Sequence, residues 1–254
     1  MNNPHTLVMA CATVIEEMLT HLPEGMDYQV FDFGLHVNPG KLRTALQEAI
    51  DAVRGRYDTI ILGYGMCSQA VIGIHANGCR LVCPRVDDCI AIFLGSRGAY
   101  TLQCRAEPGT YYLTKGWIEV GDTPFSEYER SVERFGRERA GRIYKMMMAN
   151  YKRLALINTG QYELEKYRDY ARQTAEQFGL RYDEIEGSDA LVKKILFGPW
   201  DEDIVVIEPG ETFTLDQFLR LGESASCVSR LTLSALDATF HATGGNHNRM
   251  RRNV

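Results

Sequence analysis

The amino-acid sequence predicts an α/β fold with a mainly parallel sheet, of the Rossmann or flavodoxin-like type, with helices on both faces. Short apolar runs alternate with longer amphipathic segments along the chain, as they do in βαβ units. The composition, with 45% hydrophobic and 24% charged residues, is that of a globular protein. The length of 254 residues provides for one large domain or two small ones.

The first half of the chain contains four predicted strands and a further one that is rich in aromatic residues. The segment DTIIL is the clearest, since a short apolar run of this kind is typical of a buried strand. Pro84 ends the fourth strand because it has no backbone N–H to donate. We predict strands at Thr6–Ala10, Tyr28–Phe33, Asp58–Leu62, Arg80–Cys83 and Tyr111–Glu119, helices at Thr13–Thr20 and Lys41–Val53, and a helix or turn at Asp88–Leu94.

The second half follows one long, charged helix, which we predict over Glu127–Tyr151. Gly179 is the predicted cap of a later helix, since glycine readily adopts the left-handed conformation that ends many helices. The runs RLALI and IVVI are again of the buried type. We predict strands at Arg153–Ile157, Arg181–Ile185 and Ile204–Ile207, and helices at Glu163–Phe178, Ala190–Leu196 and Asp216–Leu221.

These elements predict three segments. Residues 1–120 form an α/β half, residues 121–152 contain the charged helix that links the halves, and residues 153–254 form a second α/β half. The last dozen residues, with Arg249, Arg251 and Arg252, are predicted to be a basic tail.

Charge and hydropathy limit the partners and the compartment that we expect. Lys and Arg number 28 and Asp and Glu 33, so the formal net charge of −5 gives no general attraction to nucleic acid. No stretch reaches the roughly 18 apolar residues that span a bilayer, and the amino terminus lacks the basic region of a signal peptide. Seven cysteines without a dense disulfide framework fit reduced thiols. We therefore expect a cytoplasmic protein that binds neither nucleic acid nor membrane.

Three cysteines follow three different predicted strands: Cys11 the first, Cys67 the third and Cys89 the fourth. With the flavodoxin-like strand order 2-1-3-4, these strands are neighbours about 4.8 Å apart, and their carboxyl ends share one edge. Three thiolates with an open fourth position suit catalytic zinc, or an iron–sulfur cluster with one iron left free for substrate. Cys11 and Cys67 each precede a predicted helix, whose dipole lowers the pKa of a thiol.

The other cysteines and several polar residues have simpler interpretations beside the functional one. Cys79, Cys83, Cys104 and Cys227 fit small buried hydrophobic residues. Polar residues beyond the strands can orient a small substrate or bind its anionic group, although an arginine there is as often solvated and an asparagine is as often a helix cap. The candidate substrate-binding residues are Tyr64, Arg85, Ser96, Arg97, Asn158, Thr159 and Gly160.

Standard nucleotide-binding and hydrolytic motifs are absent from the sequence. There is no G-x-x-x-x-G-K-[ST], G-x-S-x-G or H-E-x-x-H segment. The pair Gly63-x-Gly65 has Ser68 where a dinucleotide fingerprint has its third glycine. The sequence therefore excludes a P-loop and gives little support to a dinucleotide site.

The order of several segments resembles one family, catalogued as domain of unknown function 1638. The segments are ILGYGMCSQAVIGIHA, CPRVDDCIAIFLGSR and PGTYYLTKGWIE, followed by NYKRLALINTG and DIVVIEPGE. The resemblance covers roughly residues 5 to 215, and the family pattern has a cysteine at Cys11, Cys67 and Cys89. This chain departs from it at Asp87-Asp88, where many relatives carry His-Asp.

The resemblance implies a metabolic setting rather than a reaction. Members of the family are often encoded near corrinoid-dependent methyltransferases of methylamine and betaine metabolism, which implies a role in one-carbon transfer. A corrinoid protein or a methyltransferase is then an expected partner. Thiolate-bound zinc that activates a thiol for methyl transfer is consistent with that role, as is a cluster with three protein ligands.

Three hypotheses follow. The first is a metal- or iron–sulfur-dependent enzyme or accessory protein, such as a thiolate-metal methyltransferase, with Cys11, Cys67 and Cys89 as ligands and a small-molecule substrate in the open position. The second is a metal-free protein that binds a small anion or nucleotide in the same crevice while the cysteines pack. The third is a partner protein whose charged helix Glu127–Tyr151 docks a methyltransferase or corrinoid protein.

Overall fold

The computed structural model describes residues 5–67, 69–120 and 123–219. Within these ranges the chain divides into two compact units, each with its own sheet. Unit 1 comprises residues 5–99 and 188–219, and unit 2 comprises residues 100–187. This division differs from the predicted halves, because residues 188–219 belong with the beginning of the chain.

Strands and helices alternate through most of the described chain. The strands are β1 (Thr6–Cys11), β2 (Asp27–Phe31), β3 (Thr59–Gly63), β4 (Arg80–Pro84), β5 (Thr110–Leu113), β6 (Arg153–Asn158), β7 (Arg181–Glu186) and β8 (Ile204–Ile207). The helices are α1 (Ala12–Leu19), α2 (Pro39–Ala52), α3 (Ile90–Phe93), α4 (Arg97–Ala106), α5 (Lys115–Val120), α6 (Pro124–Phe135), α7 (Arg137–Met148), α8 (Leu164–Phe178), α9 (Ala190–Phe197) and α10 (Leu215–Phe218), and a 3-10 turn spans Phe33–Val37.

The sheet of unit 1 has the strand order β2-β1-β3-β4-β8. Its first four strands are parallel, which confirms the mainly parallel α/β fold and the flavodoxin-like order 2-1-3-4. β8 then pairs antiparallel with β4, with Val82 opposite Val206. The central strands β1 and β3 are continuous apolar runs that are buried along almost their whole length, as expected for strands covered on both faces.

Helix α2 shows how local sequence sets an element of unit 1. Asn38 is its N-cap, and its Oδ1 accepts a hydrogen bond from the Lys41 N–H at 3.0 Å. Pro39 occupies the first turn, where its missing N–H costs nothing. Every fourth residue from Leu42 faces inward, so that Leu42, Leu46 and Ile50 are buried.

Unit 2 contains a three-stranded parallel sheet with the order β5-β6-β7. Helices α5 to α8 belong to the same unit. Gly179 ends α8 with φ +68° and donates its N–H to the helix, which confirms the predicted C-cap. The core of the unit is a cluster of buried apolar side chains: Leu113, Phe125, Met148, Leu154, Leu156, Tyr167, Ala171 and Ala175.

Several local predictions are wrong, each for a physical reason. The single helix over Glu127–Tyr151 is two helices, because Gly136 between α6 and α7 has φ +80° and ψ 156°. The strand over Tyr111–Glu119 ends at Leu113, and the rest of it lies in helix α5. Helix α4 is missing from the predicted elements, and its buried residues are Tyr100 and Cys104.

Within the described residues no helix combines the length and the apolar character needed to cross a bilayer. The predicted cytoplasmic location stays a prediction. The residues Arg249, Arg251, Arg252 and Cys227 lie outside the described part of the chain.

Candidate functional site

The carboxyl edge of the unit 1 sheet brings the three predicted cysteines into one neighbourhood. Cys11 is the last residue of β1, and Cys67 and Cys89 follow the adjacent strands β3 and β4. Their charges influence one another: after burial, the pKa of the Cys89 thiol is raised by Cys67, Asp88 and Cys11. We call Cys11, Cys67 and Cys89 the thiol cluster.

The two loops that carry Cys67 and Cys89 are joined by backbone hydrogen bonds. The Met66 N–H donates to the Val86 carbonyl at 2.7 Å, and the Cys67 N–H donates to the Asp87 carbonyl at 2.9 Å. Gly65 permits this approach, because a Cβ at that position would lie only 2.7 Å from the Asp88 Cα. Gly65 therefore serves the packing of these two loops.

The pKa values of the thiols are raised, not lowered as the sequence predicted. Burial is the largest cause at Cys11, and it outweighs the hydrogen bond between Cys11 Sγ and Thr13 Oγ1 at 3.5 Å. Burial, Asp88 and Cys11 raise the pKa of Cys67. The described residues between Cys67 and β4 form turns rather than the predicted helix, so no helix dipole favours the Cys67 thiolate.

Cys67 also has an uncommon backbone conformation. Its φ is +46°, in the left-handed region that favours glycine, and Gln69 has φ +67°. Arg43 Nη2 donates to the Gln69 carbonyl at 3.0 Å, which holds this turn in place. A non-glycine residue kept in this region costs roughly 1–3 kcal/mol, and such residues cluster at functional sites.

Tyr64 contributes a buried hydroxyl to the same neighbourhood. Its side chain is 3% exposed, and its Oη has no hydrogen-bond partner among the described residues. The pKa of Tyr64 is raised well above its ordinary value, first by burial and then by Cys11, Cys67 and Cys89. A buried polar atom without a partner costs about 1–3 kcal/mol, and no hydrogen bond from the described residues offsets that cost at Tyr64.

The thiol cluster consists of sulfur donors, the type of ligand that soft metals prefer. Sulfur ligands select zinc or iron–sulfur clusters, and the unpartnered Tyr64 hydroxyl faces the same neighbourhood. Within residues 5–67, 69–120 and 123–219, no group of three or more Cys, His, Asp or Glu side chains already has an arrangement that could hold a metal ion.

A cavity in unit 1 is lined by three of the predicted substrate-binding residues. Arg85, Ser96 and Arg97 line a cavity of about 170 Å³. Lys194 of α9 and Asp203 before β8 line it too. Sequence reasoning missed these two, because they follow Arg85 by more than a hundred residues and no local motif connects them.

Asn158, Thr159 and Gly160 lie elsewhere, at the carboxyl end of β6 in unit 2. Asn158 Oδ1 accepts from the Gly160 N–H at 3.1 Å, which closes a turn in which Gly160 has φ +74°. Helix α8 begins only at Leu164, so these residues do not form its amino terminus. Their role in substrate binding stays a prediction.

The described cysteines outside the cluster are all buried. Cys83 Sγ donates to the Tyr64 carbonyl at 3.4 Å, beside the thiol cluster. Burial alone raises the pKa of Cys79, which shows that it lies apart from the other thiols. Cys104 is buried in helix α4. Cys79 is therefore the matched control for experiments on the thiol cluster.

Comparisons with known proteins identify a family without a described activity. The sequence profile described as "Protein of unknown function (DUF1638)" matches residues 30–196, more than half of the chain. This range contains Cys67, Cys89 and Arg85, whereas Cys11 precedes it. Searches of curated proteins and of solved structures returned no match. The chain belongs to the DUF1638 family.

Proposed function

We propose that this protein is a metal- or iron–sulfur-dependent enzyme or accessory protein whose site is the carboxyl edge of the unit 1 sheet. Cys11, Cys67 and Cys89 would be the ligands, and a small substrate would take the open position. The observation that carries the proposal is that three thiols, of the buried Cys11 and the half-buried Cys67 and Cys89, lie close enough to the unpartnered hydroxyl of Tyr64 to raise its pKa.

The electrostatics of the edge support a cation there. Burial raises the pKa of all three thiols, so they stay protonated at neutral pH in the absence of a metal. Asp88 adds negative charge that raises the pKa of Cys67 and Cys89 further. Ligand thiols are deprotonated on binding, and a bound cation would offset the charge that accumulates in this buried region.

The remaining residues would position the substrate. When bound, zinc would supply Lewis-acid activation of a thiol, and a cluster with three protein ligands would supply an iron site for substrate. Tyr64 would donate a hydrogen bond to the substrate through its free hydroxyl. Gly65 keeps the two cysteine-bearing loops together, since a larger residue would push them apart.

The test is the metal and acid-labile sulfide content of the full chain after strictly anaerobic purification. We expect about one metal per chain without sulfide for zinc, or near-stoichiometric iron and sulfide for a cluster. Cys67→Ala should lose the metal, whereas Cys79→Ala should keep it. Circular dichroism of both variants shows whether they are folded.

The same measurement can also overturn the proposal. A protein without metal whose thiols all titrate as free would overturn this proposal. The metal-free binding of a small anion at the same edge would then be the better explanation, since Arg85, Ser96 and Arg97 share a cavity there.

The finer role, one-carbon transfer linked to corrinoid methyltransferases, is part of this proposal and rests on the family resemblance. A docking role for the α6–α7 region would accompany it, because Phe135 and Met146 of these helices are exposed apolar side chains. We expect a purified corrinoid methyltransferase to co-elute with the chain and methyl transfer to require Cys67. Co-elution without any dependence on Cys67 would instead favour a purely structural partner.

A further inference from the structure

We infer that the cavity of unit 1 is a binding site for a small oxyanion, the carboxylate, sulfonate or phosphate group of a substrate. The side chains that carry this inference are Arg85, Ser96, Arg97, Lys194 and Asp203. Three of them are cationic and one is anionic, so the lining has an excess of positive charge.

Arg85 is the central residue of this oxyanion cavity. Its side chain forms no hydrogen bond or ion pair with any described residue, although its Nε is buried from solvent. Its backbone is fixed, because its N–H donates to the Asp203 carbonyl at 2.8 Å. A buried guanidinium N–H without an acceptor is satisfied by an oxyanion, which arginine binds through paired hydrogen bonds.

The carboxylate in the lining has a cationic partner of its own. Lys194 Nζ lies 2.6 Å from Asp203 Oδ2 and 2.7 Å from Asp201 Oδ1, so Lys194 forms ion pairs with both carboxylates. These contacts also raise the pKa of Lys194 and keep its charge. The anionic side chain in the lining is therefore engaged with Lys194 and not with Arg85.

The side of the oxyanion cavity that carries Ser96 and Arg97 is closely packed. Gly95 has φ +81°, and a Cβ there would lie 2.5 Å from the Cβ of Ser188. The Ser188 N–H donates to the Phe93 carbonyl at 3.0 Å, which fixes the two segments together. Ser96 Oγ accepts from the Ala99 N–H at 3.0 Å and so caps the first turn of α4, whose positive end favours an anion.

Size restricts the ligand. A volume of about 170 Å³ is well below the roughly 300–1,000 Å³ of pockets that enclose whole drug-sized ligands. The oxyanion cavity therefore accommodates a small anionic group but is too small to enclose a complete nucleotide, one of the ligands that the sequence left open.

The position of the cavity relates it to the thiol cluster. Cys89 follows Arg85 by four positions, so their Cα atoms are at most about 14 Å apart. Val86, which lines the cavity, accepts the hydrogen bond from Met66 in the loop of Cys67. On the proposed function, the substrate is then a small molecule with an oxyanion group at one end and its reacting group at the other.

The experiment is calorimetric titration of the full chain with inorganic phosphate, acetate and methanesulfonate, each at an ionic strength matched with potassium chloride. We expect saturable binding of at least one probe, and the preferred probe identifies the anionic group. Arg85→Gln should weaken the affinity for the preferred probe about tenfold, which is the contribution of a hydrogen bond to a charged group. Arg80→Gln, at the other end of β4, is the matched control and should bind as the wild type does.

Binding that is absent, or that Arg85→Gln leaves unchanged, would overturn the inference. Metal content is measured on the same preparations, so that a failure of this inference can be told apart from a failure of the proposed function. A chain that binds phosphate without metal leaves the oxyanion cavity standing, and a chain with metal but no oxyanion binding removes only the cavity.

Discussion

Two arginines, one in each unit, differ in how the chain satisfies the buried N–H groups of their side chains. Arg153 begins β6 in unit 2 and is only 6% exposed. Its guanidinium donates to Thr110 Oγ1 at 2.7 Å, Gln103 Oε1 at 3.0 Å and Asp183 Oδ2 at 3.1 Å. Arg85 in unit 1 has a buried Nε and no side-chain partner among the described residues.

Two tyrosines show the same contrast. Tyr167 of unit 2 donates its hydroxyl to Glu119, whereas the buried hydroxyl of Tyr64 in unit 1 has no partner in the described chain. A buried polar group that the chain itself satisfies contributes to stability. A buried polar group that it leaves unsatisfied costs stability, and a ligand can repay that cost. The comparison therefore assigns Arg153 and Tyr167 to the architecture, and it supports the proposal that Arg85 and Tyr64 bind a ligand.

The largest expected difference is between the two arginines. Arg153→Met should lower the free energy of unfolding by about 3 kcal/mol, since it removes three hydrogen bonds of a buried guanidinium, each worth about 1 kcal/mol. Arg85→Met should change it by less than about 1 kcal/mol, because no hydrogen bond is lost. Urea-induced unfolding followed by circular dichroism measures both values, and equal losses would contradict the assignment.

A smaller effect tests the loop packing that forms the thiol cluster. Gly65→Ala should lower the free energy of unfolding by about 2 kcal/mol, because the added Cβ collides with the backbone of Asp88. Gly141→Ala in helix α7 is the control, since a Cβ there meets nothing within 4 Å. It should raise stability by about 0.5–1 kcal/mol through helix propensity. Thermal unfolding of both variants gives the sign directly, and a neutral Gly65→Ala would refute the close approach.

The smallest effect compares the two hydroxyls. Tyr167→Phe should cost about 1.5 kcal/mol, the lower value for a hydrogen bond to a charged group. Tyr64→Phe should leave the stability of the ligand-free chain unchanged or slightly higher, because it removes an unsatisfied polar atom. Urea unfolding of the two single variants measures the difference. A destabilised Tyr64→Phe would show that its hydroxyl has a partner within the protein.

Much of the fold could be predicted from local patterns. The strand Ile204–Ile207 has the predicted bounds, and the order of the first four strands is the predicted one. The wrong predictions concern segments whose local pattern favours one element while the folded chain forms another. The aromatic run after Tyr111 favours a strand, yet residues from Lys115 on form a helix. Gly136 breaks a helix that charge periodicity alone would continue.

The candidate site could also be predicted in part, because local patterns locate the ends of the strands. A residue that follows a buried parallel strand lies at a known edge of the sheet, so the strand pattern is enough to group Cys11, Cys67 and Cys89. The electrostatics of that group could not be predicted in the same way. The sequence suggests helix termini that lower the thiol pKa values, but burial, which depends on the whole unit, raises them.

The sequence by itself determined which segments form strands, which residues follow them, and that three thiols meet at one edge. These properties depend on hydrophobic periodicity and turn residues, which act over a few residues. Only the tertiary structure decided that β8 returns to pair with β4 and brings Lys194 and Asp203 to Arg85. Pairing between distant segments is selected by the burial of whole faces, and no local pattern encodes it.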